Sequence, residues 1–223
     1  MQDKEKIAFF DFCGTIVPFQ SANAYVEFVV NNYANLIRKT KLAIIKTARR
    51  IHLLSPFLRV FYGGINDKLL YLKLIKGVSY NTLDVAARRF YEEKIKPSII
   101  PEVIEELKKR QHDNYRIVII SGALDVYLRY FAEDYCIKDI ISSNMELEKG
   151  FFTGKLSGRD CMGENKVREL EQRFIRKDLF CVAYSDSPSD LPLLTWVDVG
   201  FAVLKRPSWI ITNSIKEYYW DER

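Results

Sequence analysis

The stretch KIAFFDFCGT, residues 6–15, decides how the fold of this chain is interpreted. Its apolar and aromatic residues form a run that is too short for a typical helix and predicts a buried strand. The run contains the carboxylate of Asp11 and leads into a turn at Gly14 and Thr15. Ligands of open parallel sheets bind at the carboxyl ends of the strands, so Asp11 is the first candidate functional residue.

Further apolar runs follow along the chain, with helical patterns between them. The strand-like runs are RIVIISG at 116–122, DIISSN at 139–144, LFCVAYSDS at 179–187 and DVGFAV at 198–203. Strands that alternate with helices predict an α/β fold with a Rossmann-like, mostly parallel sheet. Residues 145–158 alternate between polar and apolar and contain two turn signals, which predicts a hairpin, and the tail from Pro207 is predicted to be helical.

The segment after the first strand breaks this alternation. Residues 20–95 have a mostly helical pattern, with breaks at Ser55-Pro56 and Gly63-Gly64. We therefore expect two parts, an α/β core and a helical cap inserted after the first strand. The predicted core comprises residues 1–18 and 96–223, and the predicted cap comprises residues 19–95.

Composition limits the function classes. The chain has 223 residues, 48% hydrophobic and 28% charged, which is ordinary globular composition. Its four cysteines form no CxxC pair, so a structural zinc site is not expected and a reducing cytoplasm is the expected location. The two histidines, His52 and His112, argue against a Ser-His-Asp triad or a multi-histidine metal site. No signal peptide or membrane-spanning stretch is expected.

The basic residues are unevenly distributed. The chain carries a net charge of +5, and between Glu27 and Asp67 it has seven basic residues and no acidic one. These charges fit the solvated faces of a helical cap, a cap that faces an anionic substrate, or contact with a membrane surface, where the substrate of a phosphatase would be a phosphorylated lipid headgroup. Residues 42–61 mix leucine, isoleucine and phenylalanine with lysine and arginine, as an interfacial helix does. No nucleic-acid partner is expected, because no recognised binding module is present.

Oxygen-bearing side chains and one lysine are predicted to converge at one edge of the sheet. Hard oxygen ligands suit Mg²⁺, which commonly bridges to phosphate, while a lysine and a hydroxyl suit phosphate oxygens. Aspartate is also a nucleophile of phosphoryl transfer. Each residue has a plainer explanation as well, for example a helix N-cap for the serine or a solvated surface lysine. The converging residues are Asp11, Ser121, Lys166, Asp186 and Asp190.

Four short motifs, in order, resemble those of the haloacid dehalogenase superfamily. They are DFCGT at 11–15, VIISG at 118–122, GENK at 163–166 and YSDSPSDLPLL at 184–194. More narrowly, the chain resembles the phosphoserine-phosphatase-like branch with a helical cap. The resemblance implies a hydrolase that takes a phosphoryl group from a small phosphorylated substrate, with Mg²⁺ as cofactor.

The same resemblance implies a role for each matching residue. Asp11 would be the nucleophile that forms an aspartyl-phosphate. Its carboxylate, the Cys13 carbonyl and Asp186 would bind Mg²⁺, and Asp190 would support the metal site. The residues that would hold the substrate's phosphoryl group are Thr15, Ser121, Gly122 and Lys166.

Cys13 departs from the family pattern, which usually has aspartate at this position to protonate the leaving oxygen. A neutral thiol forms weak hydrogen bonds and is a poor substitute. Three interpretations remain open. Cys13 limits the enzyme to activated phosphates; or another acid or base from the cap, Glu27 or Asp67, takes over; or the protein binds phosphoryl ligands and turns over little.

Overall fold

A computed structural model describes residues 4–50, 67–204 and 215–219. Its centre is a seven-stranded sheet in the order β4-β3-β2-β1-β5-β6-β7, in which β4 is antiparallel to β3 and the other neighbours are parallel. The strands are β1 (Glu5–Phe10), β2 (Arg116–Leu124), β3 (Asp139–Glu148), β4 (Phe151–Ser157), β5 (Leu179–Ser185), β6 (Val199–Leu204) and β7 (Ile215–Tyr219).

Helices cover the sheet and fill the segment between β1 and β2. In that segment lie α1 (Ser21–Tyr33), α2 (Leu36–Arg50), α3 (Asp67–Leu74) and α4 (Tyr80–Phe90). A π-helical turn over Tyr91–Ile95 and a 3₁₀ turn over Lys96–Ser98 lead back to the sheet. The later helices are α5 (Pro101–His112), α6 (Asp125–Asp134), α7 (Glu164–Arg173) and α8 (Leu191–Trp196).

Strand β1 lies at the middle of the sheet and is buried on both faces. Its residues from Ile7 to Phe10 have no exposed surface. On one face the Phe10 ring stacks on Tyr184 with the centroids 4.4 Å apart, and on the other Phe9 meets Phe174 edge to face. Since β2 and β5 both run parallel to β1, all three strands end at the same edge of the sheet.

The sheet and the hairpin confirm the predicted fold, whereas the predicted helical tail is wrong where it is described. Residues Ile215–Tyr219 form β7, which pairs with β6 and covers its edge. The division into core and cap stays a prediction, and the breaks at Ser55-Pro56 and Gly63-Gly64 lie outside the described residues. Within the described residues, no helix has the length and apolar character needed to cross a bilayer.

Candidate active site

The carboxyl ends of β1, β2 and β5 surround a cavity of about 250 Å³. Residues from all four sequence motifs line it, together with residues from the starts of α1 and α3. The predicted site residues among its lining are Asp11, Cys13, Ser121, Gly122, Lys166 and Asp190.

Lys166 is the central cation of the site. Its Nζ lies 2.8 Å from Asp11 Oδ1 and 2.6 Å from Asp190 Oδ2. Burial alone would lower the pKa of Lys166, but the two carboxylates raise it above its ordinary value, so the side chain stays charged. With 2% of its surface exposed, Lys166 is not a solvated surface lysine.

Asp190 is held beside Lys166. Its Oδ2 also accepts a hydrogen bond from Ser185 Oγ at 2.6 Å, and the residue is buried. Ser185 is the last residue of β5, so the strand end fixes this carboxylate. These contacts hold the Asp190 carboxylate against Lys166, and its predicted role in supporting the metal site stays a prediction.

Thr15 and Asp186 form a second pair. The Thr15 hydroxyl donates to Asp186 Oδ1 at 3.1 Å and accepts from the Asp186 N–H at 3.0 Å. Thr15 is fully buried and is not among the residues that line the cavity. These contacts fit a role in holding the Asp186 carboxylate better than the predicted direct contact with substrate.

The predicted metal ligand Asp186 is not among the residues that line the cavity, but its carboxylate is close enough to Asp11 for the two charges to interact. Burial and the charge of Asp11 raise the pKa of Asp186 to about 6, and burial raises the pKa of Asp11 despite the opposing effect of Lys166. A cation between the two carboxylates would relieve this repulsion. No cluster of three His, Cys, Asp or Glu side chains forms a cage for a metal in the described part of the chain. Mg²⁺ commonly needs only one or two carboxylates plus water and phosphate oxygens, so these residues fit it.

Ser121 and Gly122 lie in the last part of β2, which continues two residues beyond the predicted end. Ser121 is buried, and its Oγ accepts from the Ala123 N–H at 3.3 Å. A side chain at Gly122 would place its Cβ 2.6 Å from Met162 Cγ. A side chain at this position would therefore require the exposed Met162 side chain, from the loop that precedes α7, to move.

The Cys13 thiol is tied to the start of α1. Its Sγ lies 3.0 Å from Ser21 Oγ and accepts from the Ser21 N–H at 3.5 Å. Ser21 Oγ in turn lies 2.7 Å from the Tyr127 hydroxyl, which accepts from the Leu124 N–H at 3.0 Å. Burial and the charge of Asp11 raise the pKa of Cys13 to about 11, so a neutral thiol faces the cavity.

The two acidic residues considered as substitutes for the missing aspartate occupy different positions. Asp67 lines the same cavity as Asp11 and Cys13. Glu27 is not among the cavity residues: its carboxylate lies 2.6 Å from Lys46 Nζ and 3.3 Å from the Tyr71 hydroxyl. Of the two, the structure brings only Asp67 to the cavity.

Lys68 is a cavity residue that the sequence interpretation missed. Its buried Nζ lies 2.5 Å from both the Gly122 carbonyl oxygen and Asp160 Oδ1. Asp160 also accepts from Ser143 Oγ at 2.6 Å. Lys68 lies near the start of α3, in a segment rich in lysine. Nothing in the sequence distinguishes it from the neighbouring lysines as a cavity residue. Lys68 links the predicted cap to the last part of β2 and to the loop before α7.

Comparisons with known proteins found a matching family and similar folds. The family model described as haloacid dehalogenase-like hydrolase matches residues 8–195. Histidinol-phosphatase from Neisseria meningitidis is 24% identical over 227 residues, covering 97% of each chain. A protein of unknown function from Bordetella pertussis aligns with a TM-score of 0.75 at 20% identity, covering 90% of each chain. A phospho-aspartyl intermediate analogue of phosphoserine phosphatase aligns with a TM-score of 0.58 at 17% identity, covering 90% of this chain and 87% of that one. These structural likenesses show the fold alone.

Proposed function

Because the chain belongs to the haloacid dehalogenase-like hydrolase family, we propose that it is a Mg²⁺-dependent phosphatase of a small phosphorylated metabolite. Membership confirms the predicted hydrolase class. The observation that carries the proposal is Lys166, held between Asp11 and Asp190 in a cavity that Ser121 also lines. A buried cation, a carboxylate and a hydroxyl at one sheet edge match what phosphoryl transfer requires.

In the proposed reaction an Asp11 oxygen attacks the phosphorus, and the bond from phosphorus to the leaving oxygen breaks. The leaving oxygen takes up a proton from solvent water, and an aspartyl-phosphate remains. Water then attacks this phosphorus, which releases inorganic phosphate and restores the Asp11 carboxylate. Lys166 offsets the negative charge of Asp11 and of the incoming phosphoryl group, a contribution that grows as water is excluded.

The proposed cation site comprises Asp11, Asp186 and the carbonyl of Cys13. Bound Mg²⁺ would supply positive charge to the phosphoryl oxygens. Thr15 holds the Asp186 carboxylate through two hydrogen bonds. Ser121 and the Gly122 amide are proposed to hold the remaining phosphoryl oxygens, since both lie at the cavity.

Cys13 suggests which substrates react fastest. With its pKa raised to about 11, the thiol is a weak proton donor near the leaving oxygen. Acyl and aryl phosphates, whose leaving groups need little protonation, are therefore the proposed preferred class. The cavity of about 250 Å³ favours a small substrate, and the name of the Neisseria relative, histidinol-phosphatase, also points to a small phosphorylated substrate.

The test is release of inorganic phosphate with Mg²⁺ from a panel of acyl, aryl, sugar and serine phosphates. Asp11→Asn is expected to abolish release, because the amide is not a nucleophile. The control Asp178→Asn changes an exposed aspartate at the opposite end of β5 and is expected to leave release unchanged. If wild type releases no more phosphate than Asp11→Asn from every substrate, the protein binds phosphoryl ligands with little turnover and the proposal fails.

A further inference from the structure

Helix α2 has an inward face that attaches it to the predicted cap. Leu42 is 3% exposed and packs in the main hydrophobic core, and Ile45 is partly buried against it. Arg38 lies on the same side of the helix, and its guanidinium donates to the Lys76 carbonyl at 2.9 Å. Residues four and seven positions apart share one face of a helix, so these contacts define which side of α2 faces the protein.

The opposite face of α2 is exposed and carries three large apolar residues. Leu36, Ile37 and Ile44 have 79%, 65% and 62% of their surface exposed. At helical spacing the exposed Thr40 lies between them, and the exposed Ala43 lies beside Leu36. Scattered single apolar residues are ordinary on a protein surface, but three large ones within three turns of one helix form a patch.

Lysines border this patch on both sides. Helical spacing places Lys41 on one flank and Lys39 on the other, and both side chains are exposed. The helix contains no acidic residue. Apolar residues flanked by a lysine on each side are typical of a helix that lies in a membrane interface, where long lysine side chains reach the headgroups.

We infer that the face of α2 formed by Leu36, Ile37 and Ile44, with Lys39 and Lys41, docks on the surface of an anionic lipid bilayer. The isoleucines and the leucine enter the boundary between headgroups and acyl chains, and the lysines contact acidic headgroups. Charge complementarity selects this occupant, because the sequence has no acidic residue between Glu27 and Asp67. Exposed leucine and isoleucine would gain little on a nucleic acid, whose backbone attracts charge alone.

Docking on this face is compatible with an open catalytic cavity. Helix α2 packs against α1 and α3, whose first residues line the cavity, while the lipid-facing side of α2 points away from both. The inference does not depend on the proposed phosphatase activity. It predicts a protein attached peripherally, by one helix face.

The test is flotation of the full chain with vesicles of phosphatidylglycerol and phosphatidylcholine in equal parts, and with pure phosphatidylcholine vesicles. Wild type is expected to float with the anionic vesicles at least about tenfold more than with the neutral ones, and less at high salt. Ile37→Glu/Ile44→Glu is expected to lose at least about tenfold of this binding. Lys39→Gln/Lys41→Gln is expected to weaken binding to anionic vesicles only.

The matched control is Val85→Glu, which changes another apolar residue, 56% exposed on α4. It is expected to float like wild type. Thermal unfolding checks that every variant is folded, whether or not the protein proves to be a phosphatase. Failure of wild type to float with anionic vesicles overturns the inference, as does equal flotation of Ile37→Glu/Ile44→Glu. A dimer that this double variant separates, without lipid binding, would assign the face to a second copy instead.

Discussion

The ammonium of Lys68 lies 2.5 Å from the carboxylate of Asp160, although the two residues are 92 positions apart in sequence. The same ammonium donates to the Gly122 carbonyl. One side chain from α3 therefore joins the last part of β2, at Gly122, to the loop before α7. Since Gly122 is proposed to hold the phosphoryl group and this loop leads into the helix of Lys166, we expect Lys68 to support the geometry of the site.

Loss of this link is expected to slow catalysis. Lys68→Met removes both hydrogen bonds, and small displacements of positioned groups cost up to about a hundredfold in rate. We expect kcat/KM for aryl phosphate to fall about tenfold to a hundredfold, mostly in kcat. The control Lys73→Met changes an exposed lysine on the same helix and is expected to have no effect. Equal kinetic constants for Lys68→Met and wild type would show that Lys68 does not support catalysis.

Cys13→Asp is expected to extend activity to alkyl phosphates. The Ser21 N–H and hydroxyl that now contact the thiol would hold the new side chain in place. A carboxylic acid near the leaving oxygen is a better proton donor, and such catalysis contributes about a hundredfold or more. The measurement is kcat/KM for serine and sugar phosphates relative to aryl phosphate. Cys13→Asn, of the same shape without the acid, is the control, and a gain shared by both variants would contradict proton donation as the cause.

Most of the fold followed from local patterns, because each central strand is a short apolar run that ends at a polar residue. The strand β7 did not. Ile215 pairs with Gly200 of β6, and this contact between distant residues, rather than the local sequence of the tail, makes the segment a strand. A local sequence pattern does not show which edge strand of the sheet another segment will pair with.

The candidate site shows the same limit. Motif spacing predicted Asp11, Ser121, Lys166 and Asp190, and the structure brings all four to one cavity. Supporting contacts were missed, among them Ser185 on Asp190 and Ser21 on Cys13, although the partners are only five and eight positions apart, because the residue pattern does not show which way a side chain points in a turn. Ser185 directly precedes Asp186, so its place at a strand end was the one available signal.

Removal of Lys166 is expected to destabilise the fold as well as abolish turnover. In Lys166→Met the buried carboxylates of Asp11 and Asp190 lose the cation between them, and breaking a buried pair costs about 3–5 kcal/mol. Urea unfolding measures this loss. The double variant Lys166→Met/Asp190→Asn also lacks one of the two negative charges. It is therefore expected to be more stable than Lys166→Met alone. If the double variant is less stable, repulsion between carboxylates is not the cause.

Asp139, the first residue of β3, lies at the opposite edge of the sheet from the candidate site. We expect it to make the stability of the fold depend on pH. The Arg116 guanidinium donates two hydrogen bonds of 2.7 Å to its carboxylate and lowers its pKa below the ordinary value. A lowered carboxyl pKa stabilises the fold above the unfolded-state pKa, and this stability is lost as pH falls through the folded-state pKa. Asp139→Asn is therefore expected to cost at most about 1 kcal/mol at neutral pH, because the pair is partly exposed.

The difference between Asp139→Asn and wild type is expected to shrink below about pH 4, where aspartate begins to take up its proton in the unfolded chain. Thermal unfolding from pH 3 to pH 7 measures it. Asp113→Asn, at the exposed end of α5, provides the comparison for a general loss of negative charge. A difference that stays constant across this range would mean that the Arg116 contact does not determine the pKa of Asp139.

Gly14 is expected to tolerate no side chain, because its backbone is left-handed and its missing Cβ leaves room for Asp186. Its φ is +84°, and a Cβ there would overlap the Asp186 carboxylate. Gly77 has a similar φ of +75° with nothing within 4 Å of its Cβ position, so Gly77→Ala measures the backbone strain alone, about 1 kcal/mol. Gly14→Ala is expected to cost clearly more in urea unfolding and to abolish phosphate release, since the carboxylate proposed to bind Mg²⁺ must move. If Gly14→Ala and Gly77→Ala lose the same free energy of unfolding, the Asp186 side chain moves aside without cost. That result would argue against a rigid cation site.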